Sequence, residues 1–363
     1  MDYQTSIREY NNARILSLLR CRFPLSRAEI SRHTNLNRST VSSIIDELLG
    51  AGFVREMGLR QISTGRPSIM LEIDPEHHGV IGLDIQPDAA VIVLADLLGE
   101  IIWQGNVPFA ELQTSLKTAV DIAFSRASHF HLTPAGIGVA VMGNPSEAAI
   151  HDALDSLSIR SSLPIIVEGQ TRAAAIGQYY LGQAHGVENF IYLTDVEGPQ
   201  AVFTINGRIH RGSTDQAGRI AHLSVGAMGL PCRCGSKGCW NPRVSPEAIA
   251  RRLQTDQPFE KIVASAKTGN GQAQSEIHAM CQALGRGISH IVRIVDPNLI
   301  VLGGHLGCLK AEYLQMIHET ALNSDSQHLW NDINIVLTEE EEKSHYAGAI
   351  SLVLNHLYQD LTI

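Results

Sequence analysis

Several features are missing from this chain of 363 residues, and each absence narrows its class. No apolar run reaches the roughly 18 residues a bilayer span needs, which argues against a membrane protein. The N-terminal stretch has no apolar core before a small-residue cleavage site, so a cytoplasmic protein is expected rather than a secreted one. Charged residues are scarce at 18%, against 44% hydrophobic, a balance that folds rather than staying disordered. The length suits two or three domains. Lysine is absent from residues 1–70, where ten arginines face six acids for a net +4, while the rest of the chain carries −13 and the whole −9. This is not a generally sticky polyanion binder; one basic module on an acidic body is placed to meet nucleic acid. The six cysteines are not spread in pairs as in a secreted disulfide framework, because three of them fall within eight positions.

The basic end reads as three helices over residues 5–54. In the first, Ile7, Ile15, Leu18 and Leu19 share a face. The second opens with Ser26-Arg27-Ala28-Glu29, a capping-box spacing in which Ser26 and Glu29 satisfy each other's end amides. After a turn at Thr34–Leu36, the third carries Val41, Ile44, Ile45, Leu48 and Leu49 at helical spacing. Gly50 or Gly52 supplies its left-handed stop. Residues 53–73 suit a two-stranded wing with Gly58 and Gly65 in the turns. Small polar residues at the start of a second helix mark a helix-turn-helix, since they let the helix sit deep in a major groove. The candidate DNA contacts are Arg27, Asn37, Arg38, Ser39, Thr40, Ser42 and Arg66. Arg66 sits in Thr64-Gly65-Arg66-Pro67, a narrow extended step suited to a minor groove. A three-helix packing module with a solvated Ser/Thr face, followed by a linker, is the plainer alternative.

From Gly79 the pattern changes to a three-strand meander followed by a helix, two strands and a helix, and this order then recurs from Phe190, with a hairpin turn at Asn206-Gly207. A repeated order of this kind implies a duplicated α/β domain whose halves leave a cleft, the default ligand site. The expected domains are residues 1–75, 76–188 and 189–363, with the C-terminal helix 341–357 able to pack back on the middle one.

The sharpest local signal is His222 with Cys232, Cys234 and Cys239. Three thiolates and one imidazole form a closed four-ligand set for structural zinc. Gly235 and Gly238 let the loop fold back so that the sulfurs converge. Cys21, Cys281 and Cys308 are expected in the core. The scattered histidines lack ligand spacing. Trp240 is expected to pack rather than to line a pocket.

Together these residues resemble the ROK family (repressors, open reading frames and kinases of sugars), in its regulator branch with an N-terminal winged helix. The resemblance rests on Ala217-Gly218-Arg219-Ile220-Ala221-His222-Leu223, which is similar to the family's A-G-E-x-G-H stretch, and on the C-x-C-G-x-x-G-C loop. It rests also on Leu299–Gly304, similar to the I-V-L-G-G strand and turn, and on Thr64–Pro67, similar to the T-G-G-R-P after the wing. The resemblance implies an actin-like, ribonuclease H-like duplicated α/β fold behind an all-α winged helix-turn-helix domain. It also implies homodimers or homotetramers on palindromic operator DNA.

Departures from the family pattern fall on the chemistry. Gly169-Gln170 stands where the kinases carry Asn-Asp, and Gln170 cannot act as a general base. The first phosphate loop, D-x-G-G-T, is Asp84-Ile85-Gln86-Pro87-Asp88, and the second is replaced around Asp195–Gln200. Bulky residues and added carboxylates oppose the close approach of phosphates. The family's sugar-binding acids are Arg219 and Asn241 here. The candidate ligand residues are therefore Gln170, Arg172, Arg219, His222 and Asn241, with an anionic sugar as the favoured effector. The reading is a transcriptional regulator, most simply a repressor of carbohydrate genes, without kinase activity. Its alternatives are a ligand-independent regulator on a degenerate kinase body and, further off, an ATP-dependent sugar kinase.

Overall fold

The structure is a computed structural model and describes residues 3–60, 68–108, 112–142, 163–196, 198–225, 229–324, 334–338 and 341–361. Helices α1 (Tyr3–Arg22), α2 (Arg27–Thr34) and α3 (Arg38–Gly50) form the N-terminal module. Its core is Ile15, Leu16 and Leu19 with Ile30, Val41, Ile44 and Ile45. Ile7 is exposed, so the buried face of α1 begins beyond it. The capping box forms as its spacing requires: Glu29 Oε2 accepts from the Ser26 amide at 2.8 Å and from its hydroxyl at 2.7 Å. Asn35 takes the left-handed conformation between α2 and α3 (φ 56°), and Gly52 (φ 78°), not Gly50, follows α3.

The wing has three strands rather than two. β1 (Leu25–Ser26) pairs with β3 (Ser68–Ile73), which pairs with β2 (Val54–Arg60). Gly58 lies at a bulge in β2 (φ 98°) rather than in a turn. An extra residue in one strand demands a conformation that glycine adopts at little cost. Gly65 and Arg66 lie outside the described residues.

Two compact units follow from the packing: Met1–Ile176 with Tyr346–Leu361, and Gly177–His345. The division falls inside α5 (Gln170–Leu181), ahead of the 188/189 boundary expected from the sequence, and the winged helix groups with the first unit. In that unit, β4 (His78–Ile85), β5 (Ala89–Asp96), β6 (Ile101–Pro108), β7 (Thr133–Val141) and β8 (Ile165–Gly169) form a sheet of order β6-β5-β4-β7-β8. In the second unit, β9 (Phe190–Thr194), β10 (Gln200–Ile205), β11 (Arg208–Ile209), β12 (Leu299–Leu302) and β13 (Ile335–Leu337) take the order β11-β10-β9-β12-β13. Each sheet is an antiparallel meander continued by parallel strands on the other side of its first strand. The same topology twice is the duplicated fold.

Strand periodicity explains how the first sheet is covered. Ile81, Leu83, Ile85, Ile137, Val139 and Val141 alternate onto one face and pack on α4 (Leu112–His129). Gly82 and Gly138 alternate onto the other face, where α11 (Glu341–Tyr358) runs close. A Cβ on Gly138 would lie 1.9 Å from the Ala349 carbonyl oxygen, so only glycine admits that helix. At the end of α11, the Tyr358 hydroxyl donates to the Leu97 carbonyl at 2.6 Å, and the Arg20 guanidinium lies 5.5 Å from the Tyr358 ring centre. Asp360 accepts from the Ser17 hydroxyl and lies 4.0 Å from Arg20. The C-terminal helix thus returns to the first unit and its tail grips α1.

A second clasp lies at the exit from the wing. The His78 ring stacks on Phe53 with centroids 4.1 Å apart, and its Nε2 donates to the Ala51 carbonyl at 2.7 Å. His77 pairs with Asp74 at 2.8 Å. The spacing of these histidines does not disclose that use, because each bonds to a neighbour settled only by folding.

In the second unit, α6 (Asn241–Val244), α7 (Pro246–Arg252), α8 (Phe259–Lys267), α9 (Gly271–Val295) and α10 (Ala311–Asn323) build on the sheet. Trp240 is fully buried in this core against Gly287 of α9, and Cys281 is buried with it. Burial pushes the Cys281 thiol up to about 12. Cys21, expected in the core, is exposed on the last turn of α1. Among the described residues, no helix is long and apolar enough to cross a membrane.

Candidate functional sites: a helix face and a thiol–imidazole loop

The start of α3 presents the candidate DNA surface. Asn37 is its N-cap, with Oδ1 accepting from the Thr40 amide at 2.7 Å and the Ser39 hydroxyl at 2.8 Å. Asn37 is therefore committed to capping the start of the helix, as short polar residues at this position are. Arg27 donates to Asp46 at 2.7 Å, joining α2 to α3. Arg38 is exposed and, among the described residues, forms no ion pair or hydrogen bond, so its forked donors are available to a partner. Ser39 is exposed beside it, and Thr40 and Ser42 are half-buried. Of the seven residues singled out from the sequence, the structure leaves Arg38 and Ser42 on the open polar face of the helix, with exposed Ser39 beside them donating its hydroxyl to Asn37. It uses Arg27, Asn37 and the Thr40 amide internally, and Arg66 falls outside the described residues.

The second site is built by backbone pairing. The Trp240 amide donates to Leu223 O at 2.8 Å, Asn241 to Ala221 O at 2.8 Å and Val225 to Gly238 O at 2.9 Å, which returns His222 to Cys239. Between them Cys232 N bonds Ser236 O at 2.9 Å and Gly238 N bonds Leu230 O at 3.0 Å. Gly235 (φ 91°) and Gly238 (φ 77°) supply the left-handed turns. The ligand atoms of His222, Cys232, Cys234 and Cys239 all lie within 4.8 Å of one another. His222 Nδ1 is 3.5 Å from Cys232 Sγ, and Cys234 Sγ is 3.6 Å from Cys239 Sγ. A tetrahedral centre with bonds near 2.3 Å to sulfur and 2.0 Å to nitrogen has edges of about 3.8 and 3.5 Å, close to these two separations, so the four donors could gather around one metal ion. The Cys234 thiol is drawn down to about 6 by the Ser236 amide and its neighbouring thiols, while burial and those same neighbours push Cys239 up to about 11. One thiol giving up its proton ahead of another is the behaviour of sulfurs crowded around a common point. With Nδ1 directed to the sulfurs, Nε2 of the exposed His222 is left to face outward.

The candidate ligand residues fall into two sets. In the first unit, Asp84 is fully buried and two glutamines bond to it: Gln86 Nε2 donates to Oδ2 at 2.9 Å and Gln170 Nε2 to Oδ1 at 3.2 Å. Two amides thus occupy the carboxylate at the family's first phosphate loop. Arg172 is not an open anion receptor, because its Nε donates to buried Glu168 at 2.7 Å and Glu168 also accepts from the Gly169 amide. Glu168 lies in β8 and Arg172 in the first turn of α5, so the pair spans the strand–helix junction and is not one that helical spacing discloses. In the second unit, Arg219 is exposed and, among the described residues, has no ion pair, while Asn241 lies against Gly198. At the second phosphate loop stands Asp195, fully buried, its carboxyl pushed up by that burial and His305 Nδ1 3.5 Å away.

The retained glycines follow from packing. A Cβ on Gly303 would meet the Tyr192 hydroxyl at 2.3 Å, and one on Gly218 (φ 86°) the Ala201 carbonyl oxygen at 1.7 Å. These glycine signatures persist for strand contacts and say nothing for a nucleotide.

Fold, helix face and loop together define a class: a winged helix carried on a duplicated sugar-kinase-type body. Comparison with known proteins agrees. The ROK family pattern matches residues 80–356 and the MarR family pattern residues 9–57. The xylose repressor of Bacillus subtilis is 25% identical, covering 99% of each chain, and the transcriptional dual regulator NagC of Escherichia coli is 23% identical over 96% of this chain and 93% of its own. Among solved structures, a ROK family transcriptional regulator homologous to the Escherichia coli MLC protein superposes with a TM-score of 0.84 at 21% identity, covering 98% of both. A ROK hexokinase from Thermus thermophilus gives 0.64 at 22%, covering 76% of this chain and 98% of its own. The chain belongs to the ROK family.

Proposed function

We propose that the chain is a DNA-binding transcriptional regulator, a repressor of carbohydrate-related genes, which binds a small sugar-type effector and does not phosphorylate it. The observation that carries this reading is the pairing of an open arginine-bearing helix face, at Arg38, with a body whose first phosphate-loop carboxylate is occupied by Gln86 and Gln170. Phosphoryl transfer needs a base and phosphate-cradling backbone, and Gln170 offers neither. The relatives named as a xylose repressor and a transcriptional dual regulator support the same reading, since they match nearly the whole of this chain, winged helix as well as body.

In this reading His222, Cys232, Cys234 and Cys239 hold structural zinc, which would lock a loop of little regular structure. The protein works as a homodimer or homotetramer on two operator half-sites. Effector binding shifts the population of body conformations and so the presentation of the winged helices to DNA. Within the second unit, His222 Nε2, Arg219 and Asn241 are the effector-facing candidates; in the first unit Gln170 is bonded to Asp84 and Arg172 is set aside by its pairing with Glu168.

A thermal-shift panel of neutral, amino and acidic sugars, run beside a coupled ATPase assay with the same sugars, tests the body's role. At least one sugar is expected to raise the melting temperature, because a ligand bound only to the folded state stabilises it by mass action. No sugar is expected to give ATP turnover. Turnover that vanished in Asp84→Asn would restore the kinase reading. A panel without any shift would overturn the effector and leave a ligand-independent regulator.

A further inference from the structure

Asp195 is a buried acid that the proposed function leaves unused. It follows β9, is fully buried, and among the described residues neither of its carboxylate oxygens completes a hydrogen bond. The buried Thr194 hydroxyl beside it makes none either. The neighbouring parallel strand β12 leads into a single-turn 3-10 helix, Gly304–Cys308, which carries His305. The Gly303 amide donates to the Leu193 carbonyl at 2.8 Å, so the two strand ends stay in step as far as this turn. Asp195 and His305 thus leave the carboxyl ends of adjacent parallel strands, where ligands of open α/β sheets enter. The turn presses on the acid: a Cβ on Gly304 (φ 62°) would stand 3.0 Å from Asp195 Oδ1.

A buried carboxylate without donors is costly as an anion. Burial pushes the Asp195 carboxyl up, and the His305 contact is the first influence that opposes it. His305 Nδ1 lies 3.5 Å from Oδ1, within ion-pair reach, and its side chain is 33% exposed, so the imidazole spans from the carboxylate to solvent. Imidazole is the side chain that takes up a proton near neutrality. The other groups around the pair do not supply that compensation. From α8, Phe259 meets His305 edge to face with ring centres 6.4 Å apart. On the same helix Glu260 is itself an acid, Lys261 is exposed and Lys267 pairs with Glu312 at 2.7 Å. From β9 the Tyr192 hydroxyl lies against Gly303. Cys308 ends the turn, and β12 and β13 carry no titratable side chain.

We propose that Asp195 and His305 hold one proton between them and form a pH-sensitive latch that ties the turn Gly304–Cys308 to the end of β9. With that proton the pair is a carboxyl beside an imidazole or a carboxylate beside an imidazolium, and neither form buries a net charge. When the proton leaves through the exposed edge of the ring, a bare carboxylate remains in the interior and the turn is released from it. A group whose folded value is raised contributes stability that is complete below its unfolded value, about 3.9 for an aspartate, and is lost as pH rises through the folded value. The latch therefore weakens toward alkaline pH.

Thermal unfolding of the full chain between pH 6 and 9 at fixed ionic strength tests it, in the wild type, Asp195→Asn and His305→Gln. Asp195→Asn has no proton to lose, so its melting temperature is expected to gain on the wild type by at least about 3 °C across this range. In His305→Gln the carboxyl must keep the proton alone, so the alkaline loss is expected to begin at least about one pH unit lower. His305 is partly exposed, so its variant reports even if Asp195→Asn does not fold. A melting difference between wild type and Asp195→Asn that stays constant with pH, or an onset unmoved in His305→Gln, would overturn the latch.

Discussion

Glu29 shows how much one side chain of the DNA-binding module does. The Ser26 amide, then its hydroxyl, hold the Glu29 carboxyl below the usual carboxylate range, and that pair starts α2. A group whose folded value is depressed contributes stability that is present above its unfolded pKa of about 4.3 and is lost as pH falls through the lower folded value. Glu29→Gln keeps the shape and loses the charge. Urea unfolding is expected to show the variant about 1 kcal/mol less stable at pH 7, a typical capping contribution, with the gap narrowing at pH 4 and below. A gap that is the same at both pH values would contradict the assignment. At this scale the sequence was legible where partners are close in the chain, as with Ser26 and Glu29. It was silent where folding chooses them: Arg27 took Asp46, Arg172 took Glu168 and His78 took Phe53.

Among the elements, the loop around Cys232 and the helix α11 show opposite degrees of legibility. The loop was written in residue types, because thiols, imidazole and glycines at fixed spacing have few other joint uses. Zinc analysis of the purified chain is expected to give one ion per chain, and Cys234→Ser none. Hydrogen exchange in the variant should then lose protection at the Val225 and Trp240 amides, which hold the loop together. A wild-type protein without zinc would refute the site. The helix pattern of α11 was equally plain, but its destination was not: Gly82 and Gly138 read as strand residues of low propensity until the helix is seen pressed against them. The third wing strand, two residues long, was beyond any periodicity. The five-strand order of each sheet, by contrast, follows from the meander-then-alternation pattern and occurs twice.

For the whole molecule, charge and connection divide the work. In the proposed reading the arginine-only basic end would meet DNA through forked contacts directed to a groove, and the acidic body would be repelled by the same duplex. Two clasps, at His77-His78 and at Asp360 with Tyr358, keep the winged helix on the first unit, so that a change in the body can reach α3. The central claim is that α3 reads operator DNA through Arg38. In vitro selection from a random duplex library, followed by affinity measurement on the enriched sequence at fixed salt, tests it most directly. The wild-type chain should enrich a two-fold symmetric sequence, and Arg38→Ala should bind it at least about tenfold more weakly, the scale of one lost base-directed arginine. No enriched sequence, or an unchanged affinity in Arg38→Ala, would contradict the account.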